Sequence, residues 1–198
     1  MGKWFAAVYD TAMKGLEEKK FISIRERLLE KATGRVLEIG SGTGINFPLY
    51  KNAEKVDAIE PDPHMIGRSE LRLADAEVPI DIHQQSAEKL AFPDHTFDSV
   101  VATLVFCTIP DSTKALKEII RVSKPEGRIM FFEHVKMPQP PLAKMQEILN
   151  PAWRKICGGC NLNRETLVDI QNAGIRIDKV DSYYNGLFVT AECTNTKE

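Results

Sequence analysis

Three glycines at alternate positions, Gly40, Gly42 and Gly44, follow directly on the apolar run Val36-Leu37-Glu38-Ile39. An amphipathic segment comes next, so the stretch reads as strand, tight glycine turn, helix. Backbone without Cβ atoms at Gly40 and Gly42 lets a ligand lie directly on such a turn. The spacing narrows the ligand. A dinucleotide loop runs G-x-G-x-x-G, its last glycine letting the helix approach the strand beneath a pyrophosphate. Here the third glycine comes one position early and Ile45 stands where that pattern wants Gly. No G-x-x-x-x-G-K-[ST] occurs, which argues against a triphosphate. What remains is a cofactor with an adenosine end and no phosphates. A second apolar run, Val56-Asp57-Ala58-Ile59, ends in Glu60. A carboxylate at the tip of the neighbouring parallel strand can accept two hydrogen bonds from ribose hydroxyls.

The sulfur and metal chemistry in the sequence is thinner. Cysteines stand at 107, 157, 160 and 193, and Cys157-Gly-Gly-Cys160 supplies half of a four-ligand zinc site. His134 adds one conceivable ligand and no fourth is evident, so the expectation is free structural thiols and no metal. His64, His83 and His95 fall in turn or helix-start contexts and read as surface residues.

The elements that must position these groups alternate from Arg35 to about Val135. Strands are expected near 35–40, 55–60, 80–84, 97–103 and 127–135, with helices near 45–52, 62–76 and 111–123. Asp111 after Pro110 is a good N-cap for the third helix, whose apolar stripe is Leu116, Ile119 and Ile120. Such alternation means a parallel sheet with helices on both faces, and ligands on such sheets sit beyond the carboxyl ends of the strands. Residues 1–31 carry Trp4, Phe5, Val8, Met13, Leu16, Phe21, Ile24, Leu28 and Leu29 at spacings mostly of three and four, predicting one or two amphipathic helices. Beyond Val135 the prolines 138, 140 and 141 break the strand, a helix runs from Leu142 to Leu149 and stops at Pro151, and residues 150–162 are irregular. Asn163 or Thr166 caps a helix to about Ala173, and two strands near 175–182 and 186–193 close the chain.

A chain of 198 residues, 43% hydrophobic, can form one domain and bury roughly 70% of its unfolded surface. The charge of −2 is spread without a basic stripe, which argues against nucleic acid as partner. No transmembrane segment and no signal peptide can be read, so the expected location is cytoplasmic.

The E-x-G-x-G-x-G run with an acid ending the second strand resembles the class I S-adenosylmethionine (SAM) dependent methyltransferases. Ser86-Ala87-Glu88, Leu90 to Asp98 and Lys124-Pro125-Glu126-Gly127-Arg128 are similar to the third-, fourth- and fifth-strand signatures of that superfamily. The resemblance implies an α/β, Rossmann-like fold with a central seven-stranded, mostly parallel sheet flanked by helices, its final strand antiparallel. It implies SAM as cofactor and S-adenosylhomocysteine as product, a small-molecule acceptor and no metal. Glu38, Gly40, Ser41, Gly42 and Gly44 would hold the methionine end, Glu60 and Pro61 the ribose, and Met65 the adenine face. Ser86, Ala87 and Glu88 would flank the adenine edge, with Thr103 and Leu104 near the sulfonium. A leading segment, here 1–31, forms a lid in these families, and a Tyr-Asp pair like Tyr9-Asp10 faces the methyl group; Tyr9 as a simple packing anchor stands beside that reading. The insertion after the fifth strand, here 136–165, walls the acceptor pocket.

Phe132-Glu133-His134-Val135, Asn150-Pro151-Ala152-Trp153 and Gly159-Cys160-Asn161-Leu162-Asn163-Arg164-Glu165 are similar to a narrower branch, the thiol methyltransferase-like proteins. The resemblance implies a small or alkyl thiol as acceptor. Members of that branch begin with a hydrophobic anchoring segment that these residues do not match, so membrane placement is not carried over. Methyl transfer from a sulfonium is an in-line displacement that mainly needs positioning and exclusion of water. His134 is the expected aid to the nucleophile, a neutral imidazole taking a thiol proton; a hydrogen-bonded structural histidine is the alternative. Methylation of oxygen or nitrogen on a small metabolite, methylation of a phospholipid amine, and a non-catalytic SAM-binding module are the competing functions.

Overall fold

The computed structural model describes residues 21–197. Its elements in order are α1 (Ile22–Leu29), β1 (Gly34–Ile39), β2 (Ala53–Ile59), α2 (Pro63–Leu73), β3 (Ile80–His83), β4 (Phe97–Thr103), α3 (Ser112–Val122), β5 (Ser123–His134), α4 (Pro140–Ile156), α5 (Thr166–Asn172), β6 (Arg176–Tyr183) and β7 (Phe188–Thr194). The strands form one seven-stranded sheet in the order β3-β2-β1-β4-β5-β7-β6. β7 runs antiparallel to both β5 and β6, and the other pairings are parallel. This is the mostly parallel sheet with an antiparallel last strand that the resemblance implies.

The order reverses between β1 and β4, since the chain builds outward from β1 to β3 and then returns to pair β4 on the other side of β1. A crevice at the carboxyl ends of these two strands is where such sheets place ligands. Both strands are apolar on both faces, as central parallel strands must be: Val36, Leu37, Val100 and Val101 are fully buried. One layer of core gathers Leu37, Ile39, Val100, Phe106, Leu116, Ile119 and Phe131, with α3 and α5 over it. The other gathers Phe21, Leu28, Leu29, Val36, Tyr50, Val56 and Phe132 beneath α1.

Several expected elements come out differently. Residues 45–52 do not form an α-helix; only the 3-10 turn Phe47–Leu49 is present, because Asn46 and Tyr50 are drawn inward to hydrogen-bond Glu38. The helix after β5 runs through Pro151 to Ile156. Proline removes one helical bond, and the turn beyond it is held by Cys157 N donating to Trp153 O at 2.8 Å. The helix near 166 starts after Glu165 with no side-chain cap, so neither Asn163 nor Thr166 is its N-cap. Asp111 does cap α3, its side chain accepting from Lys114 N. His83 lies at the end of a strand, with Nε2 2.9 Å from Asp57 Oδ1, rather than free on the surface. Tyr9 and most of the expected lid lie outside the described residues.

Candidate active site

Gly40, Gly42 and Gly44 all have left-handed backbone, with φ of 64°, 55° and 76°, a conformation that glycine adopts without steric cost. Their surroundings differ. A Cβ at Gly40 would lie 2.2 Å from Val105 Cγ2, and one at Gly44 2.7 Å from the Phe47 ring, whereas among the described residues one at Gly42 would meet nothing within 4 Å. The turn is therefore packed from below at Gly40 and Gly44 and open above Gly42. Ser41 N donates to Ile59 O at 3.0 Å, which ties the turn to the end of β2.

Glu60 completes that tie. One carboxylate oxygen accepts from Gly42 N at 3.1 Å and the other from Asp62 N at 2.9 Å. Burial pushes its pKa up, against those two backbone donors. Asp62 caps α2 by accepting from His64 N, and Met65 is buried on the first turn of that helix. Among the described residues a cavity of about 300 Å³ is lined by Glu60, Pro61, Asp62, Pro63 and His64. The expected ribose carboxylate thus opens on a concave space beside the glycine turn.

Beneath the turn lies a polar network that sequence reasoning missed. Glu38 is 2% exposed and accepts from Asn46 Nδ2 at 2.9 Å and Tyr50 OH at 3.0 Å. Arg25 of α1, also buried, donates to Asn46 Oδ1 at 2.9 Å and Thr103 Oγ1 at 2.7 Å, and its guanidinium stands 5.5 Å from the centre of the Phe132 ring. Burial drives the Glu38 pKa up to about 7, although the Asn46 and Tyr50 bonds and the Arg25 charge oppose the rise. Arg25, Asn46 and Tyr50 lie 78, 57 and 53 residues from Thr103 in sequence, and no local pattern connects them. The network locks the ends of β1 and β4 together beside the open face of Gly42.

Ser86 and Glu88 also hold the local chain in place. Ser86 Oγ bonds Glu88, and Glu88 Oε1 accepts from Asp111 N at 2.8 Å, pinning the loop before α3. Ala87 is packed in the core. Leu104 has φ of 54°, an uncommon and strained setting for a branched side chain. Its backbone N donates to Phe132 O at 2.7 Å. Glu133, with no exposure, holds the same turn through Oε1, which accepts from Val105 N at 3.0 Å and Phe106 N at 3.1 Å. Strain at Leu104 is thus imposed by β5, and it aims residues 104–107 toward the glycine turn.

His134 ends β5 with Nε2 3.1 Å from Cys160 Sγ, and Trp153 Nε1 donates to the same sulfur at 3.2 Å. Sγ of Cys107, Sγ of Cys160 and the His134 ring nitrogen all lie within 4.8 Å of one another. Hydrogen bonds from Cys107, His134 and Trp153 bring the Cys160 pKa down to about 4, despite burial. Desolvation works to lower the His134 pKa, and the Cys160 sulfur beside the ring overrides it and raises the value. The ring is therefore held against the Cys160 sulfur through Nε2. All four cysteines are free, as expected; Cys107 and Cys160 meet in the cluster, and Cys157 of the CxxC run stays outside it. The only sequence signal was Gly158-Gly159, whose φ values of 58° and 94° turn the chain back so that Cys160 faces β5.

The segment 136–165 reaches the cluster through two side-chain amides, Gln146, which is buried, and Asn161, which is half-buried. Gln146 Nε2 donates to Val135 O and Leu162 O while its Oε1 accepts from Met137 N. Asn161 donates twice to Cys107 O, from backbone N at 2.9 Å and Nδ2 at 2.8 Å. Arg164 Nη2 bonds Ile109 O at 2.7 Å. The turn after α4 is thus sewn onto the turn after β4.

A strand-end glycine turn, a carboxylate on the next strand and a crevice at the switch point define a class of protein, and the comparisons agree. The methyltransferase-domain family matches residues 37–131, from β1 into β5. A SAM-dependent methyltransferase of Thermotoga maritima superposes with a TM-score of 0.72 at 20% identity, over 98% of this chain and 97% of that one. A thiol S-methyltransferase of Rattus norvegicus is 37% identical over 169 residues, which is 81% of this chain and 68% of that one. A phosphatidylethanolamine N-methyltransferase of Cereibacter sphaeroides is 33% identical over 118 residues, 59% of this chain and 58% of that one. The chain belongs to the class I SAM-dependent methyltransferases, in their thiol methyltransferase-like branch. Among the described residues no helix is long and apolar enough to cross a membrane.

Proposed function

We propose that the enzyme transfers the methyl group of SAM to a small or alkyl thiol, releasing S-adenosylhomocysteine and a methyl thioether. The observation that carries the acceptor class is the His134–Cys160 pair, where the end of β5 meets the turn after α4. A site where an imidazole nitrogen and an indole N–H already meet one sulfur suits the sulfur of an acceptor thiol.

In this reading the cofactor lies across the glycine turn with its methionine end over Gly40, Ser41, Gly42 and Gly44. Glu38 faces its ammonium through the Asn46 network. Glu60 and Pro61 take the ribose, Met65 covers the adenine, and Ser86, Ala87 and Glu88 bound its edge. Thr103 and Leu104 lie beside the sulfonium and residues 136–165 wall the acceptor, with Tyr9 the candidate, by the family resemblance alone, to face the methyl group. Catalysis is then positioning: the thiolate sulfur is held in line with the S–CH₃ bond, with water excluded. The similarity to a phospholipid N-methyltransferase keeps an amine acceptor as the second reading.

The test is an acceptor panel with product identification by mass. Sulfide and short alkyl thiols should yield methyl thioethers, with S-adenosylhomocysteine formed in equal amount. Turnover confined to phosphatidylethanolamine vesicles, amines or quinones would overturn the thiol reading, and SAM binding without turnover on any acceptor would favour a binding module.

A further inference from the structure

Cys107, His134 and Cys160 come from three separate turns, after β4, at the end of β5 and after α4, and present two sulfurs and one imidazole nitrogen to a common centre. We propose that this cluster is a binding site for a thiophilic divalent cation of the zinc type, with a fourth position left for the acceptor thiol. The inference rests on the thiol reading for the role of that fourth position, and on the geometry alone for the site.

Two thiolates and an imidazole form a ligand set that zinc takes in catalytic sites, where three protein ligands leave one position open. Tetrahedral bonds of about 2.3 Å to sulfur and 2.0–2.1 Å to nitrogen place the donors about 3.6–3.8 Å apart. The three donors here lie within 4.8 Å of one another. His134 Nε2 and Cys160 Sγ lie 3.1 Å apart, so a cation bound between them would open the pair by about half an ångström. Cys107 is buried, whereas Cys160 is only partly buried, so the open side of the site is at Cys160.

The supports around the donors are those a fixed site needs. Asn161 clamps Cys107 O with two hydrogen bonds, and Trp153 Nε1 donates to Cys160 Sγ. An N–H to a ligating sulfur tunes its charge and orientation.

Such a site would supply the step that methyl transfer to a thiol lacks. A thiol binding a zinc-type ion gives up its proton. The acceptor R–SH would bind at the fourth position and release one proton to water. Its sulfur would then form the new S–CH₃ bond as the methyl–sulfonium bond of SAM breaks, with the electron pair of that bond left on S-adenosylhomocysteine. The neutral thioether is a weak ligand and would leave the ion.

The experiment loads chelator-treated full-length protein with Zn²⁺, measures stoichiometry by elemental mass spectrometry and affinity by competition with a chromophoric chelator. Co²⁺ loading reads thiolate-to-cobalt charge transfer in the optical spectrum. One ion per chain is expected. C107S and C160S should each weaken binding by more than the roughly 10–100-fold that loss of an outer-shell partner costs, while C157S binds as wild type. SAM titration calorimetry of each variant reports that the fold and cofactor site are intact. No stoichiometric ion, or equal losses in C157S and C160S, would overturn the site. Full-rate thiol methylation by metal-free protein would remove the ion's role in the reaction and leave the thiol reading standing. A bound ion with no thiol methylated would do the reverse.

Discussion

Replacing Glu38 by glutamine isolates the electrostatic cost of the network beneath the glycine turn. Burial holds the Glu38 pKa at about 7 in the folded protein against an ordinary 4.5, so the folded state binds its proton more tightly than the unfolded chain does. The stability this gives is fully present below about pH 4.5 and is lost as pH rises through about 7. At about 1.36 kcal/mol per pH unit the gap corresponds to roughly 3 kcal/mol. The amide introduced by E38Q would keep an acceptor for Asn46 Nδ2 and cannot ionise, and Tyr50 can turn its hydroxyl to accept from it. Urea unfolding of wild type and E38Q at a series of pH values measures the difference directly. Wild type should lose roughly 3 kcal/mol relative to E38Q between about pH 4.5 and pH 8, and saturating SAM should shrink that loss, because its ammonium favours the ionised carboxylate. A stability difference flat across that window would refute the claim that Glu38 is buried with its proton.

Three further outcomes follow from the same geometry. Gly40→Ala should destabilise the fold and abolish SAM binding, because its Cβ would meet Val105 at 2.2 Å; Gly42→Ala, with no neighbour within 4 Å among the described residues, should cost only about 1 kcal/mol of stability yet weaken SAM by at least about tenfold, read by thermal melts beside calorimetry. Arg25→Ala strips donors from buried Asn46 and Thr103 and should cost about 3 kcal/mol, with a lower SAM affinity. Gln146→Ala breaks one bond to Val135 beside β5 and two that tie residues 136–165 together, to Met137 and Leu162; steady-state kinetics should show a raised acceptor KM and little change in KM for SAM.

What the sequence made legible was whatever depends on local pattern. The apolar runs of β1, β2 and β4 and the Asp111 cap are short-range features, and the alternation of strands with helices forces the sheet that carries them. The glycine turn and Glu60 were readable because each sits at a strand end with a fixed offset. The misses are long-range. Asn46 and Tyr50 sit in a stretch with helical periodicity, and its helix is given up so that both can reach Glu38. Arg25 lies on a helix whose apolar stripe gave no hint that its one buried charge points at β4. The CxxC run drew attention to Cys157, whereas the partner of Cys160 is Cys107, 53 residues upstream. Pairings across such distances are decided by how three turns pack together, which residue order alone does not encode in any local spacing.

The most direct test of thiol methylation is to trace the methyl group itself. Protein mixed with methyl-labelled SAM and an alkyl thiol should pass the label to the thioether, one per S-adenosylhomocysteine formed, and Glu60→Ala should lose both products together as cofactor binding fails. Label that stays on SAM with every thiol, while the same protein binds SAM and labels an amine or phospholipid, would contradict the account.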